Sequence, residues 1–283
     1  MERFDILIVG AGAAGISAAK AASAAGCRVL LVDYGPQPGG ILLQCAHRGF
    51  GEDCTGPEYA AQLLQDFPDS VCFSANTAVL EITPDQTARL SGGRTVSFDQ
   101  LIWAAGCREV PFGALPIAGT RPAGIFTAGQ MQARMNLRGL QPEGPAVILG
   151  SGDLGLVMAR QLAQAGIPVT LVEQNSTCGG LPRNRRCLQE FGIPIHCSAT
   201  VTEVFGDPKL EAVALSNGVI LPCRTLLIAV GLIPEQTLIR DLQDAPWLHL
   251  CGNCRTVHPM VDTVVYEGTQ AGKAACRNIR GTL

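Results

Sequence analysis

The chain has 283 residues, 47% of them hydrophobic and 16% charged, with a formal net charge of -3. That length predicts two domains, each with its own core, and the composition is that of a globular protein rather than a disordered or fibrous one. The mild negative charge leaves no basic patch to neutralise phosphates, so nucleic acid is not an expected partner.

Residues 4–32 are almost uncharged and long enough to suggest a membrane span. Gly10, Gly12, Gly15 and Gly26 divide the stretch into strand, turn and helix, and Lys20 stands in the middle of it. The start is not basic and no small-residue cleavage site follows, so neither a signal peptide nor an integral membrane segment is expected, and the expected location is cytoplasmic. The run Ile6-Leu7-Ile8-Val9 reads as a strand buried on both faces of a parallel sheet. An Ala-rich helix follows over 13–25, stopped by Gly26, and a second strand over 28–32 ends at Asp33.

The pattern recurs 140 residues later. Gly10, Gly12 and Gly15 fall on Gly150, Gly152 and Gly155, Asp33 falls on Glu173, and the pair Gly39-Gly40 falls on Gly179-Gly180. The second copy has its own apolar strand over 146–149, a helix over 154–165 ended by Gly166, and a strand over 168–172. One G-x-G-x-x-G is weak, but two, each followed by an acid at the same distance, are a strong signal. In such a turn the first glycine makes the strand-to-helix corner. The second lets backbone approach a pyrophosphate, and the third packs helix on strand. The helix N-terminus favours the negative charge, and Asp33 and Glu173 can accept hydrogen bonds from ribose hydroxyls. The alternative is a pair of Gly-rich turns with no ligand, which the paired acids argue against.

Each copy also closes alike. Leu101-Ile102-Trp103-Ala104-Ala105-Gly106 matches Leu226-Leu227-Ile228-Ala229-Val230-Gly231, an apolar strand ending on glycine. Together these features resemble the two-dinucleotide-binding-domain flavoproteins, the pyridine-nucleotide-disulfide oxidoreductase superfamily, over essentially the whole chain. The resemblance implies an α/β fold of two Rossmann-like dinucleotide-binding domains, the second inserted into the first. An FAD-binding domain is expected over 1–113 and 245–283 and an NAD(P)-binding domain over 114–244, joined through Pro/Gly-rich stretches at 111–122 and 233–246. The segment Leu248-His249-Leu250-Cys251-Gly252-Asn253 resembles the one that returns to complete the FAD domain, and a helix is expected over 260–275.

By this resemblance FAD is expected at Gly10, Gly12, Ala13, Ala14, Gly15, Asp33, Gly39, Gly40, Gln44, Val79, Ala105, Gly106, Cys107, Gly252, Asn253 and Val261. The nicotinamide cofactor is expected at Gly150, Gly152, Asp153, Leu154, Gly155, Glu173 and Gly231. Asn253 replaces the family's aspartate at the ribityl chain, and its amide still bonds a hydroxyl. A helix N-terminus near Val261 would stabilise negative charge on the reduced flavin. Residues 236–247 read as a short polar link where relatives carry further strand sequence. Glu173, followed by neutral Gln174 and Asn175, favours NAD, with NADP as the alternative because Arg183, Arg185 and Arg186 follow.

Twelve cysteines lie in apolar or Gly-rich surroundings and read as reduced thiols. The lone C-x-x-C, Cys251 to Cys254, cannot supply four zinc ligands, so no metal is expected. The redox cysteine pair of the family's disulfide reductases is missing, both after Gly39-Gly40 and after Gly155. The segment Gly40-Ile41-Leu42-Leu43-Gln44-Cys45-Ala46-His47 is instead similar to flavoproteins associated with anaerobic glycerol-3-phosphate dehydrogenases and to the FAD subunits of opine oxidase and hydrogen cyanide synthase. Thr55-Gly56-Pro57-Glu58, Gly150-Ser151-Gly152-Asp153 and Val257-His258-Pro259-Met260 carry the same likeness. It implies hydride transfer from NAD(P)H to FAD and onward passage of electrons to a partner dehydrogenase or oxidase subunit or a small-molecule acceptor. An electron-transfer subunit of a heteromeric complex and a thioredoxin-reductase-like disulfide reductase are the alternatives, and a homodimer is one expected assembly. His47, as a proton carrier, and Cys45, as a redox thiol, are the catalytic candidates. Cys107 and His258 are further residues near the flavin edge.

Overall fold

A computed structural model describes residues 1–281. Six α-helices lie among them: α1 (Ala13–Ala24), α2 (Gly56–Leu64), α3 (Ala128–Arg138), α4 (Asp153–Gln164), α5 (Pro182–Glu190) and α6 (Val261–Arg280). The chain divides into two compact units, one formed by Met1–Arg108 and the chain from Ile233 onward, the other by Glu109–Leu232. The crossings therefore fall earlier than the expected boundaries at 113/114 and 244/245. The reason is local: strand Cys107–Glu109 pairs with strand Leu232–Pro234, so the chain crosses on ordered backbone rather than on the Pro/Gly-rich stretches after it.

The first unit is built on a parallel sheet in the order Cys72–Ser74, Val29–Val32, Glu2–Val9, Thr95–Trp103, with Leu248–Leu250 added beside the end of the last. An antiparallel hairpin, Val79–Thr83 with Thr87–Leu90, joins the start of Thr95–Trp103. Strand side chains alternate between faces, and both faces are apolar. Ile6, Ile8, Val29, Leu31 and Ile102 face Ala14, Ala18 and Ala22 of α1 and Ala271, Ala275 and Cys276 of α6. Leu7, Val9, Leu30, Val32, Leu101 and Trp103 face Ile82, Leu90, Val96 and Ile239.

Ile239 corrects the reading of 236–247 as a polar link. The segment forms a 3-10 turn over Thr237–Leu242, Ile239 is fully buried, and the Trp247 ring meets Phe98 edge-on at 5.6 Å. Leu238, Ile239 and Leu242 are too few apolar residues to mark a buried element in so short a stretch, yet Ile239 fills the second core. Helix α6 likewise outruns its expected end at 275 by more than a turn, because its last residues continue to pack on α1 and the following connection.

The second unit repeats the first in register. Ala146–Leu149 pairs with Val169–Val172 as Ile6–Val9 pairs with Val29–Val32, residue for residue under the same shift. Its parallel sheet runs Ile125–Thr127, Thr225–Ile228, Ala146–Leu149, Val169–Val172, Ile195–His196. One face meets α3, α4 and α5, and the other meets a four-stranded sheet through Val201, Val204, Val213 and Leu215. No helix among the described residues is long and apolar enough to cross a membrane.

Candidate functional site

Both glycine turns have the same division of labour, visible in what a side chain would strike. Gly10 takes φ +100°, and a Cβ there would lie 2.4 Å from the Ala104 carbonyl oxygen. At Gly150, φ +104°, it would lie 2.3 Å from that of Ala229. Only glycine fits such a conformation against another backbone. The third glycines hold helix on turn, since a Cβ on Gly15 or Gly155 would fall 1.8 or 2.2 Å from the Gly10 or Gly150 carbonyl oxygen. The second glycines, Gly12 and Gly152, meet nothing within 4 Å. They cap α1 and α4 without any side-chain hydrogen bond, whereas α2 and α3 carry full capping boxes, Thr55 with Glu58 and Thr127 with Gln130. The first-turn N–H groups of α1 and α4 have no intrahelical acceptor and open onto the space over the second glycine. The same open space over the second glycine occurs in both units.

The acids after the second strands act as fasteners. Asp33 accepts from the Ala11 N–H at 2.6 Å and the Gly35 N–H at 2.7 Å. Glu173, the counterpart, accepts from the Ser151 N–H at 2.9 Å and the Asn175 N–H at 2.8 Å, the same two positions under the repeat. Glu173 takes two more, from Ser151 Oγ at 2.6 Å and Asn175 Nδ2 at 2.8 Å, and is buried. Burial pushes its carboxyl up, but the Ser151 and Asn175 donors outweigh this and hold it below the usual carboxylate range. The motif spacing located both acids. It carried no sign of Ser151 or Asn175, which fix the second one.

In the first unit some of the remaining predicted residues meet this turn and others do not. The Gly39 N–H donates to the Ala11 carbonyl at 2.8 Å, and a Cβ on Gly40 would sit 3.0 Å from Gly12 Cα. Ala105 lies 3.3 Å from a Cβ on Gly10, and one on Gly252 would touch the Ala14 Cβ at 2.9 Å. Val261 packs with Ala13, Leu42 and Tyr59. Gln44 ends the 3-10 turn Gly40–Gln44, and the Cys45 carbonyl accepts from the Gly56 N–H at 2.8 Å. Val79 stands further off, on the hairpin, two residues past the Thr77 N–H that bonds the Asp33 carbonyl at 2.8 Å. Gly106, φ +70°, meets nothing within 4 Å. The half-buried Cys107 starts the crossing strand.

The two catalytic candidates differ in environment. Cys45 is buried, its thiol is pushed up to about 12 by that burial, and its Sγ–H donates to the Ile41 carbonyl at 3.3 Å. It is a neutral thiol, which is not the low-pKa state a redox cysteine needs. His47 is half-buried, with its ring 5.2 Å from Phe50, which stands 6.4 Å from Tyr59. Tyr59, which follows Thr55-Gly56-Pro57-Glu58 in the stretch that carries the family likeness, donates to Asp262 Oδ1 at 3.4 Å in the first turn of α6.

The closing segment is held by a residue that no motif announced. Glu267 of α6 accepts from the Gly252 N–H at 2.8 Å, pairs with Arg255 at 3.1 Å, and lies 3.2 Å from His258 Nε2. The Asn253 side-chain oxygen accepts from the His258 N–H at 3.0 Å. Cys254 donates to the Trp103 carbonyl at 2.9 Å, and burial pushes it up to about 11.

In the second unit Asp153 serves α5, accepting from the Leu181 N–H at 2.7 Å and Asn184 Nδ2 at 2.6 Å. Leu154 is half-buried, and Gly231 takes φ +147°. Arg185 Nε reaches the Gly179 and Gly180 carbonyls at 2.8 and 3.0 Å, while Arg183 and Arg186 are exposed.

A family model described as pyridine nucleotide-disulphide oxidoreductase matches residues 4–246. An opine oxidase subunit of Rhizobium meliloti is 30% identical over 274 residues, covering 84% of this chain and 52% of that protein. Hydrogen cyanide synthase subunit HcnB of Pseudomonas protegens is 31% identical over 275 residues, covering 83% of this chain and 58% of that one. The chain thus spans about half the length of these curated relatives. Among solved structures, a thioredoxin reductase of T. acidophilum aligns with TM-score 0.81 at 20% identity, over 99% of this chain and 100% of that one. A Lactococcus lactis thioredoxin reductase aligns at 0.82 and 20%, over 98% and 99%. At that identity the likeness is one of fold.

Proposed function

We propose, from the premise that this chain belongs to the pyridine nucleotide-disulphide oxidoreductase family, that it is an FAD-dependent oxidoreductase passing electrons between NAD(P)H and a partner subunit or small acceptor. The observation that carries this is the twice-built cradle, Gly12 and Gly152 open above uncapped helix N-termini. In this reading the first unit holds FAD at Gly10, Gly12, Ala13, Ala14, Gly15, Asp33, Gly39, Gly40, Gln44, Val79, Ala105, Gly106, Cys107, Gly252, Asn253 and Val261. The second holds the nicotinamide dinucleotide at Gly150, Gly152, Asp153, Leu154, Gly155, Glu173 and Gly231. When bound, the two cofactors supply hydride transfer and the capacity to pass electrons onward.

The protein's own residues bind, orient and supply protons. The N–H groups after Gly12 and Gly152 face the phosphates. Asp33 and Glu173 brace the turns through their backbone bonds and present carboxylate toward a ribose. His47 is the proton carrier of the first unit, and Cys45 packs against Gly56 at the start of α2. Glu173 adds a fixed negative charge where an NADP 2′-phosphate would lie, which favours NAD. The neutral Cys45 and Cys254 support electron transfer over thiol reduction.

Anaerobic titration with NADH is expected to bleach the visible flavin band, with NADPH less effective. A purified protein that neither carries nor takes up FAD overturns the reading. A second reading, an electron-transfer subunit that works only within a complex, is favoured by the subunit names of the relatives and by the half-length match. Flavin that is present but unbleached by either nucleotide, with activity only alongside a co-purified polypeptide, selects it.

A further inference from the structure

Two cysteines 249 positions apart in sequence come together at the end of the first unit away from the glycine turn. Cys27 follows Gly26 in the connection from α1 to Val29–Val32, and Cys276 sits one turn before the end of α6. Their Sγ atoms are 2.8 Å apart. That is well inside the contact distance of unbonded sulfurs and under 1 Å beyond the roughly 2.05 Å of a disulfide bond. Both lean on one backbone group: the Cys27 N–H donates to the Ala22 carbonyl at 3.2 Å, and Cys276 Sγ lies 3.6 Å from the same oxygen.

The backbones that carry them are anchored independently. A Cβ on Gly272 would stand 2.5 Å from the Ala18 carbonyl oxygen, so the helices cross in backbone contact one turn before Cys276. Arg280 of α6 donates to the Ala25 carbonyl on the other side.

We propose that Cys27 and Cys276 form a dithiol that closes to an intramolecular disulfide by exchange with a small-molecule disulfide. Cys27, half-exposed, attacks first and releases one thiol, leaving a mixed disulfide. Cys276, only 3% exposed, then displaces the second thiol. One S–S bond forms in the protein, two S–H bonds are lost, and the small disulfide is reduced to two thiols that carry away both protons. The order follows from access and from acidity, because burial and the neighbouring Cys27 thiol push Cys276 up to about 12. The bond would staple the far end of α6, whose first turn at Val261 belongs to the proposed flavin site. That link to the cofactor rests on the functional reading above, but formation of the bond does not.

The test uses the full chain, reduced, then equilibrated with oxidised glutathione, alkylated and mapped by mass spectrometry. The expected product has lost two hydrogens, yields a Cys27–Cys276 cross-linked peptide, and melts on the order of 5 °C higher than the reduced form. Cys27→Ser, at a half-exposed position, should abolish the cross-link and the thermal increment together. Alkylation of both cysteines after oxidation, or glutathione retained on Cys27 with Cys276 alkylated, overturns the proposal. The readout is the same with or without flavin, so its failure is separate from failure of the functional reading.

Discussion

Gly12 and Gly15 are three residues apart in one turn and have opposite reasons for lacking a side chain. No atom lies within 4 Å of where a Gly12 Cβ would stand, while a Cβ on Gly15 would collide with the Gly10 carbonyl. Gly12→Val is therefore expected to fold with an unchanged melting temperature and to lose FAD, with at least a tenfold drop in flavin retained per chain after gel filtration. Gly15→Ala should instead destabilise the first unit by about 1–3 kcal/mol through overpacking. A Gly12→Val protein that retains stoichiometric flavin would remove the cradle from the binding site.

Glu173 yields a prediction in pH. Its four donors hold the folded carboxyl below its ordinary value, so it stabilises the fold above the unfolded value, and that share is lost as pH falls through the folded one. Glu173→Gln turns an amide N–H₂ toward N–H or O–H donors, at a cost of ~1.5–3 kcal/mol near neutral pH. The gap between wild type and variant should narrow as pH drops below about 4.3, the ordinary glutamate value. Thermal melts across that range check it, and a gap that widens in acid contradicts the assignment.

At the scale of elements, α1 and α6 cross so closely that Gly268 and Gly272 leave no room for a methyl group. A Cβ on Gly268 would lie 2.1 Å from the Ala14 carbonyl oxygen. Gly268→Ala must part the helices and disturb Ala14 and Gly252 together, so stability and flavin content should fall jointly, the former by about 1–3 kcal/mol in a chemical denaturation curve. Loss of stability with full flavin content would separate this crossing from the site.

The crossing also marks what the sequence could convey. Local periodicity and the 140-residue repeat were enough to read both turns, their strands and their acids, because each is written within about thirty contiguous residues. The pairing of Gly268 with Ala14 joins positions more than 250 residues apart, and nothing in either segment names the other. Glu267, Ser151 and Asn175 were illegible because a carboxylate, hydroxyl or amide in a helix or turn does not show which group it meets, whether the Gly252 N–H for Glu267 or the Glu173 carboxylate for the other two. Ile239 was hidden differently: it stands beside Leu238 in a short, mixed stretch, and only the assembled sheet reveals which of the two is buried.

For the whole molecule, the division into two units would separate the two proposed binding events. Each unit has its own parallel sheet, its own cores and its own glycine turn, and among the described residues no core cluster draws on both. If the cofactor assignment holds, each ligand should protect its own unit. Hydrogen exchange read by mass spectrometry is then expected to slow on FAD addition at residues 10–15, 33–47 and 251–262, with little change at 150–155. NADH added to the FAD-loaded protein should slow exchange at 150–155 and 173–181. The acids sharpen the contrast. Glu173 already accepts from the Ser151 and Asn175 N–H groups, so those two groups should be protected before ligand arrives. Protection gained on NADH should therefore concentrate at the first turn of α4 rather than at those two residues. Protection by NADH confined to the first unit would place both nucleotides at one cradle and reverse the assignment of the second.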